Sequence, residues 1–300
     1  MNKNTAFPPF FNGDGSDGRV IINVPTTLTS TQFYDSLVIK NTSLAVGGYR
    51  IFSKGLVKVS RLGSINADGQ VPTSINSGGI GNGGIGAATN ELGGGGDGGA
   101  HTGDTVLHPG DVSPTVTSLG GNGGSGGGGN GGQARWVLGN RATKIHYFDP
   151  MYSGFIKSLL FTSEWTTVSS IVSGGGGGGC GDGGHEGLPG GGGGGVVWIS
   201  ADTIWLGNDS LISAKGGAGA GNYTSGPNTD GGGGGGGGAI LLFCNNLIND
   251  GGLLDVSGGT GATGYGAGTN GANGDPGIIV VFTPKGIQIS TSGTLSPVGV

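Results

Sequence analysis

The side chains that could do chemistry in this chain are few and widely spaced. Its glutamates, Glu91, Glu164 and Glu186, lie far apart, and with the scattered aspartates they indicate no favoured pair of the kind that glycoside hydrolases use. No serine lies in a context typical of a nucleophile on a strained turn. The histidines also lack the spacing of metal ligands, and they are His101, His108, His146 and His185. The sequence therefore predicts no catalytic residue, no metal and no cofactor.

An oxygen-rich stretch near the N-terminus offers a possible calcium loop. Asn12, Asp14, Ser16 and Asp17 have the oxygen ligands that Ca²⁺ prefers, but the twelfth position from Asn12 is Asn23 where a bidentate glutamate is needed. We therefore interpret the stretch as a glycine turn that leads into the first strand. Matches to the G-x-G-x-x-G phosphate motif carry no weight in a chain so rich in glycine, and none has the strand-to-helix context of a phosphate site.

Aromatic residues in glycine-rich loops are better candidates for binding. Tyr223 and Tyr265 lie between glycines with no strand pattern to bury them, and His185 and Glu186 occupy a comparable insert. Loops that connect rigid elements concentrate function, and tyrosine is a preferred contact residue. These four residues are the predicted receptor-binding candidates, and ordinary solvent-facing or packing roles remain the alternative for each.

The elements that must position these residues are unusual, because 78 of the 300 residues are glycine. Collagen is excluded, since glycine does not recur at every third position and only 12 prolines are present. Polyglycine can form an extended left-handed helix with three residues per turn, and several such helices can pair through their backbones. The tracts are thus either packed polyglycine II helices or mobile loops. The longest uninterrupted tracts are 174–179, 190–195 and 231–238.

Strongly apolar short segments separate the glycine tracts, and the N-terminal segments alternate with period two, so both indicate strands. Four stretches share one pattern, an apolar strand, a polar turn and a second short strand, and a glycine-rich excursion follows the first three. This repetition predicts an all-β fold, a β-helix or solenoid of stacked short strands with glycine-rich excursions. A β-sandwich is the competing fold. The predicted core strands are 20–24, 37–39, 44–46, 49–52, 57–59, 196–199, 239–243 and 278–282.

Two domains are predicted, an N-terminal β module for assembly over 1–77 and a glycine-rich presenting domain over 78–300, with one continuous domain as the alternative. Residues 134–173 stand apart: they contain a strand-like run and a segment with helical spacing, which we interpret as capping core. Cys244 lies in an apolar run and is expected to pack as a small hydrophobe, and a disulfide with Cys180 is the less favoured interpretation.

Charge and hydropathy exclude several classes of protein. A third of the chain is hydrophobic, a tenth is charged and the formal net charge is −5. This composition is unlike that of charge-driven disorder, and it provides no basic surface for nucleic acid. We also expect no membrane insertion, because no apolar run approaches spanning length. The N-terminus lacks the apolar core of a signal peptide, so synthesis in the cytoplasm is predicted.

The first 70 residues or so resemble the glycine-rich proteins of tailed phages and prophages. The resemblance rests on residues 11–18, 26–29, 34–39, 48–52 and 55–59. The later alternation of glycine tracts with short variable segments is similar in layout to the receptor-binding adhesins on the long tail fibres of T-even phages, which carry packed polyglycine helices. No residue-level motif transfers from these adhesins, and the N-terminal module and the solenoid-like segments depart from them.

The resemblance implies a non-enzymatic protein of the virion surface, a tail-fibre or adhesin component that binds the bacterial cell. Its expected partners are other virion proteins and a bacterial receptor, either an outer-membrane protein or a glycan, and a homo-oligomer stays open. The alternative is a capsid decoration or structural fibre protein without a receptor of its own. A glycan depolymerase is the third interpretation.

Overall fold

The computed structural model describes residues 12–73, 83–88, 90–92, 94–99, 116–118, 173–174, 186–221 and 228–299, and these residues form an all-β structure. The described part contains no α-helix. Its strands are β1 (Gly18–Ile22), β2 (Thr26–Thr27), β3 (Gln32–Ile39), β4 (Ser43–Ala45), β5 (Arg50–Val59), β6 (Ser64–Asn66), β7 (Val116–Ser118), β8 (Ser173–Gly174), β9 (Glu186–Gly187), β10 (Val196–Leu206), β11 (Leu211–Ser213), β12 (Thr229–Asp230), β13 (Ala239–Asn249), β14 (Leu253–Asp255), β15 (Ile278–Thr283), β16 (Gly286–Ser290) and β17 (Thr294–Leu295).

Two sheets contain most of these strands, and both follow the order of the chain. The larger sheet has the order β1-β3-β5-β10-β13-β15-β16, and the smaller one, read from the same end, has the order β2-β4-β6-β11-β14-β17. Neighbouring strands are parallel except at the C-terminal end, where β16 and β17 pair antiparallel with β15 and β14. Each consecutive pair of strands, one from each sheet, is called a tier below. The antiparallel strands thus end the stack of tiers.

Equivalent turns join the two strands of successive tiers. In four tiers the residue two positions before the second strand has a positive φ: 52° at Asn41, 57° at Leu62, 55° at Asp209 and 104° at Gly251. Glycine and asparagine adopt this left-handed conformation readily, whereas a leucine side chain is strained there. The repetition of one conformation indicates that the backbone geometry of the turn is set by the stacking.

The main core lies between the two sheets. In the larger sheet, Leu37, Val57 and Ile204 occupy one register row, and in the smaller sheet Ile65 and Ile212 face them; all are fully buried. Complete burial of such a side chain contributes about 1.5–3 kcal/mol. Because the rows repeat from tier to tier, the apolar side chain at each inward position is surrounded by its equivalents.

The outer face of the larger sheet carries a second apolar cluster. The rings of Phe243 and Phe282 are stacked with centroids 4.6 Å apart, and Trp198 lies 4.8 Å from Phe243. All three side chains are almost fully buried. Strands β10, β13 and β15 are therefore apolar on both faces, which explains their continuous hydrophobic runs.

The described glycine tracts are hydrogen-bonded to one another with a period of three residues. In the tract 188–195, Gly191 donates to the carbonyl of Gly233 and Gly194 to that of Gly236, while Gly190 and Gly193 donate to a different neighbour, the tract 94–99. The positions between them, 192 and 195, donate to a third neighbour, residues 67–70. Successive amides thus point in three directions, as in a helix with three residues per turn.

The spacing between tracts explains why they consist of glycine. A Cβ on Gly234 would lie 2.0 Å from the carbonyl oxygen of Gly259, and one on Gly235 would lie 2.1 Å from that of Gly192. The φ angles of 188–195 and 231–238 are not positive. Close approach of backbones, and not an unusual φ, therefore requires glycine here.

Glycine content falls toward the edge of the bundle in a regular way. The tract 231–238 is fully buried and consists of glycine alone. The tract 269–277 reads Thr-Asn-Gly, Ala-Asn-Gly, Asp-Pro-Gly, and only its third positions, Gly271, Gly274 and Gly277, have a neighbouring backbone where a Cβ would be. The number of glycines per triplet therefore follows the number of sides on which a tract is packed.

The all-β prediction is confirmed, and the predicted core strands all fall in or beside strands of the two sheets. One prediction was wrong in detail: segments 49–52 and 57–59 are not separate strands but form the single strand β5, because an irregularity in register between Tyr34 and Leu37 of β3 accommodates the residues between them. Val24 lies outside β1 and is 62% exposed. Cys244 is fully buried in the main core, as expected. The prediction for 134–173 lies outside the described residues except for Ser173 in β8, and Cys180 is likewise not described.

Candidate functional site

The glycine tracts carry their turns far from the sheets. Residues 256–264 leave the end of β14, the chain turns at 265–268, and residues 269–277 return to β15. Nine residues of extended threefold backbone span about 28 Å. Residues 228–230 and 265–270, which meet at this distal end, are called the tip below. An exposed side chain at the tip is thus held by glycine tracts that are packed against one another.

Tyr265 is held at the tip by backbone hydrogen bonds on two sides. Its amide donates to the carbonyl of Thr229 at 2.7 Å, and the Thr229 amide donates back at 3.0 Å. The Gly268 amide then closes a turn by donating to the Tyr265 carbonyl, and Gly266, with a φ of +64°, occupies the first central position. The Tyr265 side chain is 40% exposed. A rigid backbone thus presents an accessible aromatic ring.

Polar side chains join the two segments of the tip. The Oδ1 of Asn228 accepts from the Ala267 amide at 2.8 Å, and a Cβ on Gly266 would meet this oxygen. The Oδ1 of the fully buried Asp230 accepts from the Thr269 amide at 2.7 Å. These bonds leave the turn little freedom, because the backbone on both sides of Tyr265 is tied to 228–230.

Two of the four predicted site residues are brought together by strand pairing. Glu186 in β9 pairs in register with Thr229 in β12, and Thr229 forms an antiparallel bridge with Tyr265. The backbones of Glu186 and Tyr265 therefore flank the same residue, although they are far apart in sequence. His185 and Tyr223 lie outside the described residues. The assignment of the four residues to receptor contact stays a prediction.

Three asparagines at the tip and along its return tract were missed by the sequence analysis. The Oδ1 atoms of Asn270 and Asn273 each accept at 2.9 Å from tract amides, those of Gly264 and Gly261. Together with Asn228, they accept amides for which the described tracts provide no carbonyl acceptor. The available sequence signal was the triplet spacing of Asn270 and Asn273 beside glycines that recur every third residue.

The region around the tip is poor in positive charge. No lysine or arginine occurs between residues 216 and 284. Among the described residues of the edge tracts 256–277, Tyr265 is the one large hydrophobic side chain with substantial exposure. The exposed surface of these tracts therefore carries hydroxyls, amides, one aromatic ring and the carboxylate of Asp275.

A concave surface lies at the opposite end of the stack, on the first tier. It has a volume of about 350 Å³ and includes the outer edges of β1 and β2, with which no strand of the described chain pairs. Its lining includes Val20, Ile22, Val24, Leu28, Gln32 and Tyr34. Burial raises the pKa of Tyr34 to about 12, with a further contribution from Asp17, so this phenol is neutral at physiological pH.

The parts of the chain that the structure describes hold no cluster of three or more His, Cys, Asp or Glu side chains that could bind a metal ion. Within the same parts, no helix has the length and apolar character needed to cross a membrane. No family model, no curated protein and no solved structure matches this chain.

Proposed function

We propose that the chain is a non-enzymatic bacteriophage virion protein, a tail-fibre or adhesin component that presents the tip to the bacterial surface. The observation that supports this proposal is the clamped, partly exposed Tyr265 at the end of hydrogen-bonded glycine tracts. A rigid support lowers the entropy lost when a loop binds its partner. Tyrosine adds a large amphipathic contact area with few torsions to immobilise.

The finer architecture belongs to the same proposal. Strand pairing in chain order in both sheets supports a β-solenoid, in which each tier is one turn. The period of three in the hydrogen bonds, with no positive φ in 188–195 or 231–238, supports the polyglycine II conformation for the tracts. In this arrangement the solenoid fixes where each tract starts, and the tract bundle fixes where the tip lies.

The concave surface on the first tier supports a role for the N-terminal end in attachment to other virion proteins. Among the described residues, nothing pairs with the outer edges of β1 and β2, and Ile21 and Val24 are more than 60% exposed. Unpaired strands with exposed apolar side chains are typical of surfaces that pair with another chain. In the proposed orientation this end faces the particle and the tip faces the host.

Immunogold microscopy tests the placement. Antibodies against the purified chain are applied to phage particles from cultures that produce the protein. We expect label at the ends of tail fibres. Label on the capsid would favour a decoration protein instead, and the absence of label from every particle would contradict a virion role.

A binding measurement tests the function itself. Purified wild-type protein and the Tyr265→Ala variant are incubated with host cells, and bound protein is quantified by flow cytometry. We expect the variant to fold normally and to bind at least tenfold more weakly, because loss of an anchor residue often costs more than about 1–2 kcal/mol. A structural protein without a receptor would show no saturable binding in either form.

A further inference from the structure

The exposed edge of the glycine bundle carries a set of amide groups with fixed orientation. Asn228, Asn270 and Asn273 each use Oδ1 to accept a backbone amide at 2.8–2.9 Å. An asparagine side chain has one acceptor end and one donor end. With the oxygen turned toward the tract, the Nδ2 group is directed away from it, and Asn270 and Asn273 are exposed.

The spacing of these donors is set by the backbone. Asn270 and Asn273 are three residues apart on an extended threefold strand, which places equivalent groups about 9 Å apart along one line. Asn228 is tied to the turn that holds Tyr265. The surface therefore combines amide donors at a regular spacing with a single aromatic ring, and all of them are held by backbone contacts before any ligand arrives.

The chemistry of this surface selects between classes of ligand. An anionic ligand requires cations, and the sequence from 216 to 284 contains no lysine or arginine. A protein partner requires an apolar centre of several side chains, whereas Tyr265 is the one such exposed side chain on the described edge tracts. A neutral sugar needs less apolar area, because its hydroxyl and acetamido oxygens accept hydrogen bonds and its C–H face packs on an aromatic ring.

We propose that Tyr265, Asn228, Asn270 and Asn273 form a binding surface for a neutral glycan. The inference rests on the proposed function, and it specifies the receptor class for the same tip. Tyr265 supplies the platform for one sugar ring, and the Nδ2 groups of Asn270 and Asn273 donate to oxygens farther along the glycan chain. The glycan lies along the return tract toward the sheets.

The decisive variants keep the structural role of each asparagine and remove its outward donor. In Asn270→Asp and Asn273→Asp, a carboxylate oxygen still accepts the amide of Gly264 or Gly261, but the Nδ2 donor is lost. Asn246→Asp is the matched control, because Asn246 is exposed on β13 away from the tip and the change alters net charge equally. Tyr265→Ala is the uncharged second test.

The probe is a printed array of neutral hexose and N-acetylhexosamine oligosaccharides, with sialylated and phosphorylated glycans as comparators. We expect wild type and Asn246→Asp to bind neutral members alike, and the other three variants to lose at least tenfold with unchanged thermal unfolding. Equal binding by all variants, or wild-type binding to the anionic members alone, would overturn the proposal.

Treatment of host cells separates this proposal from the proposed function. We expect periodate, which oxidises sugar diols, to abolish binding of the wild-type protein, and protease to leave it intact. Binding that is lost to protease and resists periodate would overturn the glycan assignment while host attachment stands. Absence of binding to untreated cells would overturn host attachment itself.

Discussion

At the scale of single residues, the repeated turns show how stacking imposes a conformation on an unsuitable side chain. Leu62 has a φ of 57° and is 58% exposed, whereas the equivalent position in the preceding tier is Asn41. The left-handed conformation costs an ordinary L-residue about 1–2 kcal/mol. The cost at Leu62 is not offset by burial.

Exchange of these two residue types provides a matched pair of variants. We expect Leu62→Asn to raise the free energy of unfolding by about 1 kcal/mol, and Asn41→Leu to lower it by a similar amount. Chemical denaturation measures both. Equal stability of Leu62→Asn and the wild type would mean that this turn carries no strain.

The thiol of Cys244 makes stability depend on alkaline pH. Burial raises its pKa from 9.0 to about 12, with a smaller contribution from Asp202. Between these values the unfolded thiol loses its proton while the folded one keeps it, so stabilisation is fully present below about pH 9 and is lost as the pH rises toward 12.

We expect the free energy of unfolding to fall more steeply above pH 9 in the wild type than in Cys244→Ala. Tyr34, whose pKa is also raised, contributes a similar loss beginning near pH 10 in both proteins. Denaturation at a series of pH values measures the difference. Parallel curves for the two proteins would contradict the assignment to Cys244.

At the scale of elements, the glycine tracts are packed against one another, and this packing determines at which positions glycine is required. In the interior tract 231–238, a Cβ at two of every three positions (231, 232, 234, 235, 237 and 238) would lie 1.8–2.1 Å from a backbone oxygen. In the edge tract 269–277, glycine with such a contact recurs at every third position, 271, 274 and 277. A larger side chain should therefore destabilise the interior tract and be tolerated on the exposed side of the edge tract.

Gly234 and Ala272 test this rule within one hydrogen-bonded pair, since the Gly234 amide donates to the Ala272 carbonyl. We expect Gly234→Ala to lower the free energy of unfolding by at least about 2 kcal/mol, because its Cβ would lie 2.0 Å from a backbone oxygen. Ala272→Val, on the exposed side, should change it by less than about 0.5 kcal/mol. Equal melting temperatures for the two variants would indicate that the backbone around Gly234 moves to accommodate the Cβ, as a flexible loop would.

Much of the element-level structure could be predicted, because strand alternation and turn residues are local signals. Period two identified the segments around Leu37 and Val57, a continuous apolar run identified the segment around Ile240, and repetition of the strand pairs indicated stacking. The tip could not be predicted in the same way. The meeting of Glu186 and Tyr265 at Thr229 depends on the lengths of two separate tracts, and nothing in the local sequence records that register.

At the scale of the whole molecule, the two parts of the architecture depend on each other. The sheets bury apolar side chains and fix the start of each tract, whereas the tracts have no side chains to bury and are held by backbone hydrogen bonds. Glycine loses more conformational entropy on ordering than any other residue. Each tract is therefore stable only while its neighbours provide hydrogen-bond acceptors for its amides. For this reason we expect the bundle to unfold cooperatively with the sheets.

Amide hydrogen exchange, read by mass spectrometry on peptides that cover 190–195 and 231–238, tests this account most directly. Because Gly191, Gly194, Gly232 and Gly235 donate to neighbouring tracts, we predict that their exchange is slowed to the same degree as that of the strand amides of β10 and β13, and by at least about a thousandfold relative to an unstructured chain. Exchange of the tract amides at the unstructured rate, beside protected strands, would contradict the packed bundle and with it the rigid support of the tip.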